Sequence, residues 1–348
     1  MKKTRLIFNV IMCTLLALTL FSVSAAAENE EKNYSDAAFG NIFEYTVENG
    51  EATIVGATIE NADVIIPNEL GGYPVKKIGK KAFYSEYKIK SIFIQNGIEE
   101  IDEQAFASDD DRDDDVRISI KSLTLPDTLK KVGYEAFFYL NLSGELVLPE
   151  SLQYIDNYAF YRTRVYNKEL FIPKNVEYMG TGAFLDNGFI KYRVDEDNKY
   201  FSNDDVGALY NKDKTVLIQY PNGTYEAENT TFVIPDTVEI IAPYCFHYTK
   251  CLKEIVIPDS VRIIEDHALA FSATLKRLVF PKSLEKVGAT PLYGAITHEV
   301  YYEGTKEQWN EICDHFLVLS YRVHEIPSGP EISAAVTIFE VRVSVEYH

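Results

Sequence analysis

The feature that most constrains this chain is a 15-residue motif that recurs along most of its length. Each copy has an apolar-x-apolar-Pro start, further apolar residues three and six positions after the proline, and a small residue before a final Phe or Leu. Six full copies are LTLPDTLKKVGYEAF (123–137), LVLPESLQYIDNYAF (146–160), LFIPKNVEYMGTGAF (170–184), FVIPDTVEIIAPYCF (232–246), IVIPDSVRIIEDHAL (255–269) and LVFPKSLEKVGATPL (278–292). IFIQNGIEEIDEQAF (92–106) carries Gln95 in place of the proline, and a first copy, interrupted after Pro67, ends in VKKIGKKAF (75–83).

The spacing of these copies predicts a stack of coils. The first apolar residue after the proline falls at Val75, Ile98, Leu129, Leu152, Val176, Val238, Val261 and Leu284. The successive intervals are 23, 31, 23, 24, 62, 23 and 23 residues. One such unit cannot bury its own apolar face, whereas stacked units bury it continuously. We therefore expect about eight 23-residue coils over residues 67–298, with insertions near 108–118 and 187–228.

Each copy also predicts its own local structure. The apolar-x-apolar start alternates with the period of two that is typical of a strand. The proline ends this strand, because it has no N–H group to continue the ladder. The next apolar pair suits a tight turn, and the small residue leaves room for the aromatic ring to turn inward. The expected fold is a β-rich leucine-rich-repeat solenoid.

These segments resemble the BspA-like leucine-rich repeats of bacterial surface proteins, whose pattern is apolar-x-x-Ile-x-Ile-Pro-x-x-Val-x-x-Ile-Gly-x-x-Ala-Phe-x-x-Cys. Gly79, Gly133 and Gly180 fall on the glycine of this pattern. Cys251 falls on its cysteine, and Cys245 replaces its alanine. The resemblance covers about residues 44–315. It implies a right-handed solenoid and a role in cell-surface adhesion or ligand binding, and it does not identify a ligand.

The residues before the repeats predict a cap. Residues 42–66 alternate between apolar and polar on both sides of Asn49 and Gly50. Asn-Gly between alternating segments is typical of a hairpin turn. We expect an N-terminal β cap here, preceded by a mobile polar leader over residues 28–41.

The residues after the repeats predict a second cap over 299–325. Thr305 and Gln308 have the spacing of a capping box, which opens a short helix. Trp309 is expected to cover the apolar end of the last coil, since terminal repeats need such protection; the alternative is a ligand platform. The tail, 326–348, is either an edge strand or part of a further strand-rich segment, and both interpretations remain open.

The N-terminus predicts export. Lys2, Lys3 and Arg5 precede an apolar run over residues 6–23, and three alanines at 25–27 suit cleavage. We expect a signal peptide over residues 1–27 rather than an uncleaved anchor. The mature protein is then secreted or held at the cell surface, with no stable membrane insertion after cleavage.

Charge and cysteine content exclude several other classes. The formal net charge is −19, and a strongly acidic surface repels the phosphate backbone of nucleic acid. Cys245, Cys251 and Cys313 remain after cleavage, which is too few for a disulfide framework. Cys245 and Cys251 could pair, but their positions in the repeat favour roles as small buried apolar side chains.

The sequence contains no catalytic or metal-binding motif that we recognise. It lacks a G-x-S-x-G elbow, an H-E-x-x-H helix, a P-loop and a C-x-x-C pair. The histidines are scattered, and His247 and His267 are expected to face solvent. The acidic runs at 109–115 and 195–205 are interpreted as solvated loops, although calcium binding there remains open. We expect no enzyme activity, no cofactor and no metal site.

One column of residues is the candidate ligand face. The middle residue of each apolar-x-apolar-Pro start points away from the core, because side chains alternate along a strand. Stacking places these residues in a column: Ile65, Phe93, Thr124, Val147, Phe171, Val233, Val256 and Val279. Seven of the eight are apolar, which is unusual for a solvated face. The alternatives are that these side chains only favour strand packing, or that another part of each coil covers them.

The sequence thus predicts an exported or cell-surface binding or adhesion protein that presents an extended recognition surface to a protein or glycan ligand. The alternative is a structural scaffold or spacer without a ligand of its own. Enzyme activity is the third and least favoured hypothesis.

Overall fold

Short strands stack along two faces of the molecule, and tight turns form a third. The computed structural model describes residues 33–108, 118–223, 230–250, 252–295, 299–312, 321–325 and 339–343. These residues form a β-solenoid of about ten turns with little helix. The predicted signal peptide, Cys251, Cys313 and the acidic run 109–115 lie outside the described residues.

The first face contains the apolar-x-apolar segments. Its strands are β4 (Asp63–Ile66), β7 (Ser91–Ile94), β10 (Ser122–Thr124), β14 (Glu169–Ile172), β16 (Lys191–Val194), β20 (Thr230–Val233), β22 (Leu252–Val256), β24 (Arg277–Phe280) and β26 (Glu299–Tyr302). They pair in parallel, in three groups: β4 to β10, β14 with β16, and β20 to β26. Burial alternates as predicted, so that Leu170 and Ile172 of β14 are buried while Glu169 and Phe171 are exposed.

The second face contains the apolar pair that follows the proline. Its strands are β6 (Tyr73–Ile78), β8 (Glu100–Ile101), β11 (Lys131–Val132), β13 (Tyr154–Ile155), β15 (Tyr178–Met179), β19 (Val216–Gln219), β21 (Ile240–Ile241), β23 (Ile263–Ile264) and β25 (Lys286–Val287). A tight turn joins the two faces. In coil three the Leu129 N–H donates to the Pro126 carbonyl oxygen (3.0 Å), and the same bond recurs from Leu152 to Pro149.

The turn face carries the repeat phenylalanines. Phe83, Phe106, Phe137, Phe160 and Phe184 stack nearly parallel, with successive ring centroids 4.9, 5.2, 5.1 and 5.3 Å apart. All five are buried. Beside the rings, backbone bonds join each coil to the next, as from the Phe137 N–H to the Ala159 carbonyl oxygen (2.8 Å). The repeat therefore fixes both the core and the spacing of the coils.

The main difference from the sequence prediction lies in residues 187–228, which we expected to be an insertion between two coils. Strand β16 pairs with β14, and β19 pairs with β21. Tyr220 donates its backbone N–H to Cys245 (2.8 Å) and stacks its ring on Phe246 (5.5 Å). These residues thus build a sixth coil without the template, because inward apolar side chains and backbone bonds suffice.

The inserted part of this coil is a smaller hairpin, β17 (Phe201–Asn203) and β18 (Leu209–Asn211), whose strands are antiparallel. Adding coil six and the terminal strand β26 to the eight template copies accounts for the ten turns. The buried side chains form two clusters, and Leu209 belongs to the first while Ala208 belongs to the second.

The N-terminal cap is an antiparallel sheet of β1 (Tyr34–Ala38), β2 (Asn41–Glu48) and β3 (Glu51–Thr58). Its turn is at Asn49 and Gly50, with φ of 52° and 81°. Phe43 lies edge-on against Phe83, at the end of the ring stack. Within the expected leader over 28–41, residues 34–38 form strand β1, which pairs with β2.

The other end has its own cap. Helix α1 (Lys306–Ile312) opens with the predicted capping box: the Thr305 N–H donates to Gln308 Oε1 (2.8 Å), and the Gln308 N–H to Thr305 Oγ1 (3.2 Å). Trp309 is buried against Phe280 and Tyr302, with ring centroids 5.4 and 5.2 Å away, which fits the core role rather than a ligand platform.

Beyond the helix, two strands extend the sheet of the last coil. Strand β28 (Phe339–Val343) pairs antiparallel with β26, and β27 (Tyr321–Glu325) with β28. Three short pieces complete the described strands: β5 (Glu69–Leu70), which pairs with β6, and β9 (Ser119–Ile120), which pairs with β12 (Asn141–Leu142). Of the two interpretations of the tail, the pairing of β28 with β26 favours an edge strand.

The ring stack makes a direct prediction. Phe160→Ala in a middle coil should lower the free energy of unfolding by about 3–5 kcal/mol, since it leaves a cavity between two stacked rings. Urea denaturation of both proteins measures this. Tyr166→Ala is the control, because this ring is 76% exposed. Equal midpoints for Phe160→Ala and the parent would contradict the assignment of this phenylalanine to the core.

A second prediction concerns the continuity of the solenoid at coil six. Limited cleavage beside the exposed Asp205, between β17 and β18, should leave both fragments associated. The reason is that β17 and β18 remain paired with each other, and β16 and β19 remain paired with the coils on either side. Gel filtration of the nicked protein should show the elution volume of the intact chain. Fragments that elute separately would indicate two independent domains.

Candidate binding surface

The structure places the predicted column on the outer side of the first face. Exposed fractions are 48% for Phe93, 67% for Val147, 46% for Phe171, 62% for Val233 and 41% for Val256. Thr124 is also exposed, whereas Ile65 and Val279 are half-buried. No other part of the described chain covers these five large apolar side chains. We call the eight residues the outward column.

Strand register aligns the column within each group of strands. Ile65 and Thr124 both lie opposite Phe93, and Val233 and Val279 both lie opposite Val256. The flanking column, Asp63, Ser91, Ser122, Glu145, Glu169, Thr231, Glu254 and Arg277, is aligned in the same way. Its polar side chains interact between coils, as from Ser91 Oγ to Asp63 Oδ1 (2.7 Å).

Two further residues that the repeat template does not reveal lie in the same column. Arg193 lies opposite Phe171, and Tyr301 lies opposite Val279. Neither strand is followed by the template proline, although the alternation in KYRV and EVYY is a weak signal of a strand. Arg193 pairs with Glu169 (Nη1 to Oε2, 3.3 Å). A charged residue therefore separates the apolar column into an N-terminal part and a C-terminal part.

A groove opens in the N-terminal part, where coil four lacks a regular strand. It has a volume of about 550 Å³ and is lined by Val147, Tyr166, Phe171, Glu145 and Glu169, among others. The side chain of Asn167 replaces the missing ladder: its Oδ1 accepts from the Leu146 N–H (3.0 Å), and its Nδ2 donates to the Glu169 carbonyl oxygen (2.7 Å). The groove thus presents two exposed rings with a charged rim of Glu145, Lys168 and Glu169.

The second face is chemically different. Glu99 lies between Lys76 (2.8 Å) and Lys130 (2.5 Å), and the next residue, Glu100, lies between Lys77 (3.4 Å) and Lys131 (2.8 Å). These pairs link coils one to three. Hydrogen bonds from Lys130 and Lys76 lower the pKa of Glu99. Because these charges on the second face are already paired within the chain, this face offers less to a ligand than the outward column does.

The remaining candidate chemistry is sparse. Burial raises the pKa of the Cys245 thiol well above its usual value, so this cysteine is a neutral core residue and not a nucleophile. No group of three potential metal ligands occurs among the residues that the structure describes. Asp204, in the second acidic run, accepts hydrogen bonds from Tyr210 Oη (2.8 Å) and the Ala208 N–H (2.9 Å). Among the residues that the structure describes, no helix has the length and apolar character needed to cross a bilayer.

The ion pairs of Glu99 with Lys76 and Lys130 can be tested by mutation. A carboxyl group whose pKa is lowered on folding adds stability above its ordinary pKa of 4.5, and this stability is lost as the pH falls through the folded value. Glu99→Gln should therefore be less stable than the parent at neutral pH, by less than about 1 kcal/mol because the pairs are exposed.

The difference in stability between Glu99→Gln and the parent should shrink as the pH is lowered from 7 to 3. Urea denaturation midpoints at each pH measure this difference. Glu177→Gln is a matched control: Glu177 occupies the same column three coils further on and forms no ion pair within the described chain. A pH-independent difference for Glu99→Gln would show that its lysine pairs contribute nothing.

Fold and surface together define a class of protein: a solenoid of leucine-rich-type coils that bears an extended outer column. The family model described as BspA type Leucine rich repeat region matches in six copies, over residues 61–112, 114–204 and 221–301. These segments cover more than half of the chain, which therefore belongs to the BspA-type leucine-rich repeat family. The resemblance seen in the sequence is confirmed.

Solved structures of bacterial repeat proteins share this fold. A leucine-rich repeat protein from Eubacterium ventriosum is 23% identical, with a TM-score of 0.60 over 79% of this chain and 73% of that one. The pneumococcal vaccine antigen PcpA is 20% identical, with a TM-score of 0.55 over 78% and 82%. A leucine-rich repeat protein from Bacteroides ovatus is 22% identical, with a TM-score of 0.52 over 77% and 64%. No curated protein matches the chain.

Proposed function

We propose that this protein is exported and acts at the cell surface, or after secretion, as a binding or adhesion protein. The observation that carries the proposal is the outward column, in which five large apolar side chains are exposed on one face. Contiguous apolar surface with a polar rim is typical of a site that contacts a partner. The ligand is a protein or a glycan that this face receives.

The groove beside Phe171 is the centre of the proposed site. Exposed aromatic rings supply most of the contact energy in many interfaces, particularly where they lie in a depression. Tyr166 and Phe171 provide such rings, and Glu145, Lys168 and Glu169 surround them with charges of both signs. This arrangement favours a partner with an apolar anchor and a polar surround.

Two further points support a surface role. Solenoids of this family are repeat proteins whose extended faces are used for interaction. The similar structure of PcpA is described as that of a vaccine antigen, a description that suits an exposed protein. By analogy, we place this chain outside the cytoplasm, in agreement with its predicted signal peptide.

The proposal is tested with the double variant Phe93→Ser and Phe171→Ser. The parent protein is first applied to a glycan array and to a panel of purified extracellular-matrix proteins, and the ligands that it captures are titrated against both proteins. The variant should retain its fold and urea midpoint, because both rings are solvent-exposed, and should lose at least about tenfold in affinity.

The control is the double variant Tyr178→Ser and Tyr200→Ser, whose rings are 43% and 44% exposed away from the outward column. It should bind as the parent does. Equal loss in both variants, or none in the Phe93 and Phe171 variant, would place the site elsewhere. A parent that captures no glycan and no matrix protein would favour the scaffold hypothesis.

A further inference from the structure

The groove between coils four and five lies where backbone pairing on the first face stops. Strand β14 of coil five pairs only with β16, on the side of coil six. In coil four, residues 145–148 form no strand. The only hydrogen bonds that they make within the described chain are those of Leu146 with the side chain of Asn167. The groove therefore opens at a gap in the ladder.

Backbone groups along this gap lack partners. Successive residues of a parallel strand present their N–H and C=O groups to opposite neighbours. The Ile172 carbonyl oxygen accepts from the Asp195 N–H in coil six (3.0 Å), so the N–H and C=O groups of Phe171 face coil four. No described residue of coil four bonds to them, and the N–H and C=O groups of Leu148 are also unpaired within the described chain. Such groups favour a ligand that can both donate and accept hydrogen bonds.

The gap is too narrow to admit another strand. Neighbouring strands lie about 4.8 Å apart, so an inserted strand would need about twice that distance between coils four and five. These two coils stay one spacing apart at their rings, since Phe160 and Phe184 stack at 5.3 Å. The side chain of Asn167 also crosses the gap, from the Leu146 N–H to the Glu169 carbonyl oxygen. A ligand must therefore lie over the gap rather than extend the sheet.

Two aromatic rings with accessible faces border the groove. Tyr166 is 76% exposed and Phe171 is 46% exposed. Most buried rings of this protein stack on a neighbour, as Phe160 does on Phe137 (5.1 Å). Tyr166 and Phe171 stack on no other ring of the described chain. Their faces therefore remain available to a flat apolar surface of a ligand.

The rim of the groove supplies polar side chains of both signs. Glu169 is bonded to Arg193 (3.3 Å). The side chains of Glu145 and Lys168 form no ion pair or hydrogen bond within the described chain, and their formal charges cancel. A carboxylate accepts hydrogen bonds and an ammonium group donates them. The rim therefore suits a ligand that is polar and carries no net charge.

A pocket of similar volume, about 510 Å³, lies on the turn face, where coil six lacks the Ala-Phe turn. Its central polar groups are bonded to one another, because Arg162 donates to Asp186 (3.1 Å) and to Tyr139 Oη (2.7 Å). The side chain of His247, which we expected to face solvent, is only 6% exposed and lies 3.1 Å from the same carboxylate. These groups hold neighbouring coils together, whereas those of the groove are available to a ligand.

We infer that the groove binds a neutral sugar, such as a hexose or an N-acetylhexosamine within a glycan. This inference rests on the proposed function and narrows its ligand from a protein or a glycan to a glycan. Sugar hydroxyl groups both donate and accept, so one ligand satisfies backbone, carboxylate and ammonium groups together. The C–H face of the sugar packs on Tyr166 or Phe171. The groove volume of about 550 Å³ lies within the range of sites for small ligands.

The experiment titrates the full mature protein with glucose, galactose, mannose, N-acetylglucosamine and N-acetylgalactosamine by isothermal calorimetry. Glucuronic acid and glucosamine are titrated in parallel as charged analogues. We expect saturable one-site binding of at least one neutral sugar, and weaker binding of both charged analogues. The affinity for the neutral sugar should be nearly independent of salt concentration, because salt screens only interactions between charges.

Phe171→Ser and Phe93→Ser form a matched pair of variants. Both rings lie in the outward column and are similarly exposed, at 46% and 48%, but only Phe171 lines the groove. Phe171→Ser should lower the affinity for the sugar at least about tenfold, the loss expected when a central aromatic contact is removed. Phe93→Ser, three coils away, should bind the sugar as the parent does.

A second pair tests the other ring. Tyr166→Ala should also weaken sugar binding at least about tenfold, and Tyr200→Ala should leave it unchanged. Tyr166 lines the groove, whereas Tyr200 is 44% exposed outside it. All four side chains are solvent-exposed, so the variants should keep the urea midpoint of the parent. Circular dichroism and that midpoint verify the fold of each variant.

The inference is overturned if no neutral sugar binds saturably at millimolar concentration, or if a charged analogue binds more tightly than every neutral sugar. Equal affinity in the parent and both groove variants, or equal loss in the groove variants and their controls, would also reject it. Capture of a matrix protein without any sugar, lost in the Phe93 and Phe171 double variant, would reject the glycan and leave the proposed function intact. Failure to capture either class of ligand would reject both.

Discussion

The stacking of one coil on the next, about 5 Å apart at the phenylalanine rings, is the constraint on which the rest of the structure depends. Each ring fills the space between its two neighbours, and the backbone bonds beside it hold every coil in the same phase. Because the phase is fixed at the turn, the side chains of the other two faces are aligned as well. The outward column is therefore a consequence of the buried stack rather than an independent feature.

The two strand faces use this alignment differently. On the second face, alignment places Glu99 between two lysines, so that opposite charges are matched along the column. On the first face, the same alignment places Phe93 beside Thr124 and Ile65, so that uncharged side chains follow one another along the column. A periodic fold thus amplifies whatever residue type the repeat carries at an outward position. This amplification explains how an exposed apolar column arises from a motif that is mainly a core motif.

The break at coil six shows what happens when the stack is interrupted. Tyr220 takes the place of a repeat phenylalanine, and a cavity of about 150 Å³ lies beside Phe184, lined in part by Met179 and Gln219. On the outside of the same break, the missing turn leaves the pocket around Arg162. A Cβ atom at Gly223 would lie 1.8 Å from the carbonyl oxygen of Gly188, so only glycine allows the chain to close here.

The sequence alone determined the solenoid, because a motif with one proline, one small residue and one Phe or Leu at fixed spacing stacks in only one phase. It also determined the hairpin at Asn49, the capping box at Thr305 and the outward direction of Phe93 and Phe171. Tertiary structure decided the rest: coil six, the early start of the N-terminal sheet, and the meeting of Arg162 with Asp186 and the tyrosines. Backbone hydrogen bonds between coils form regardless of side-chain identity, so the sequence pattern does not reveal coil six. The contacts of Arg162 cross a break in the repeat, so no periodicity in the sequence indicates them.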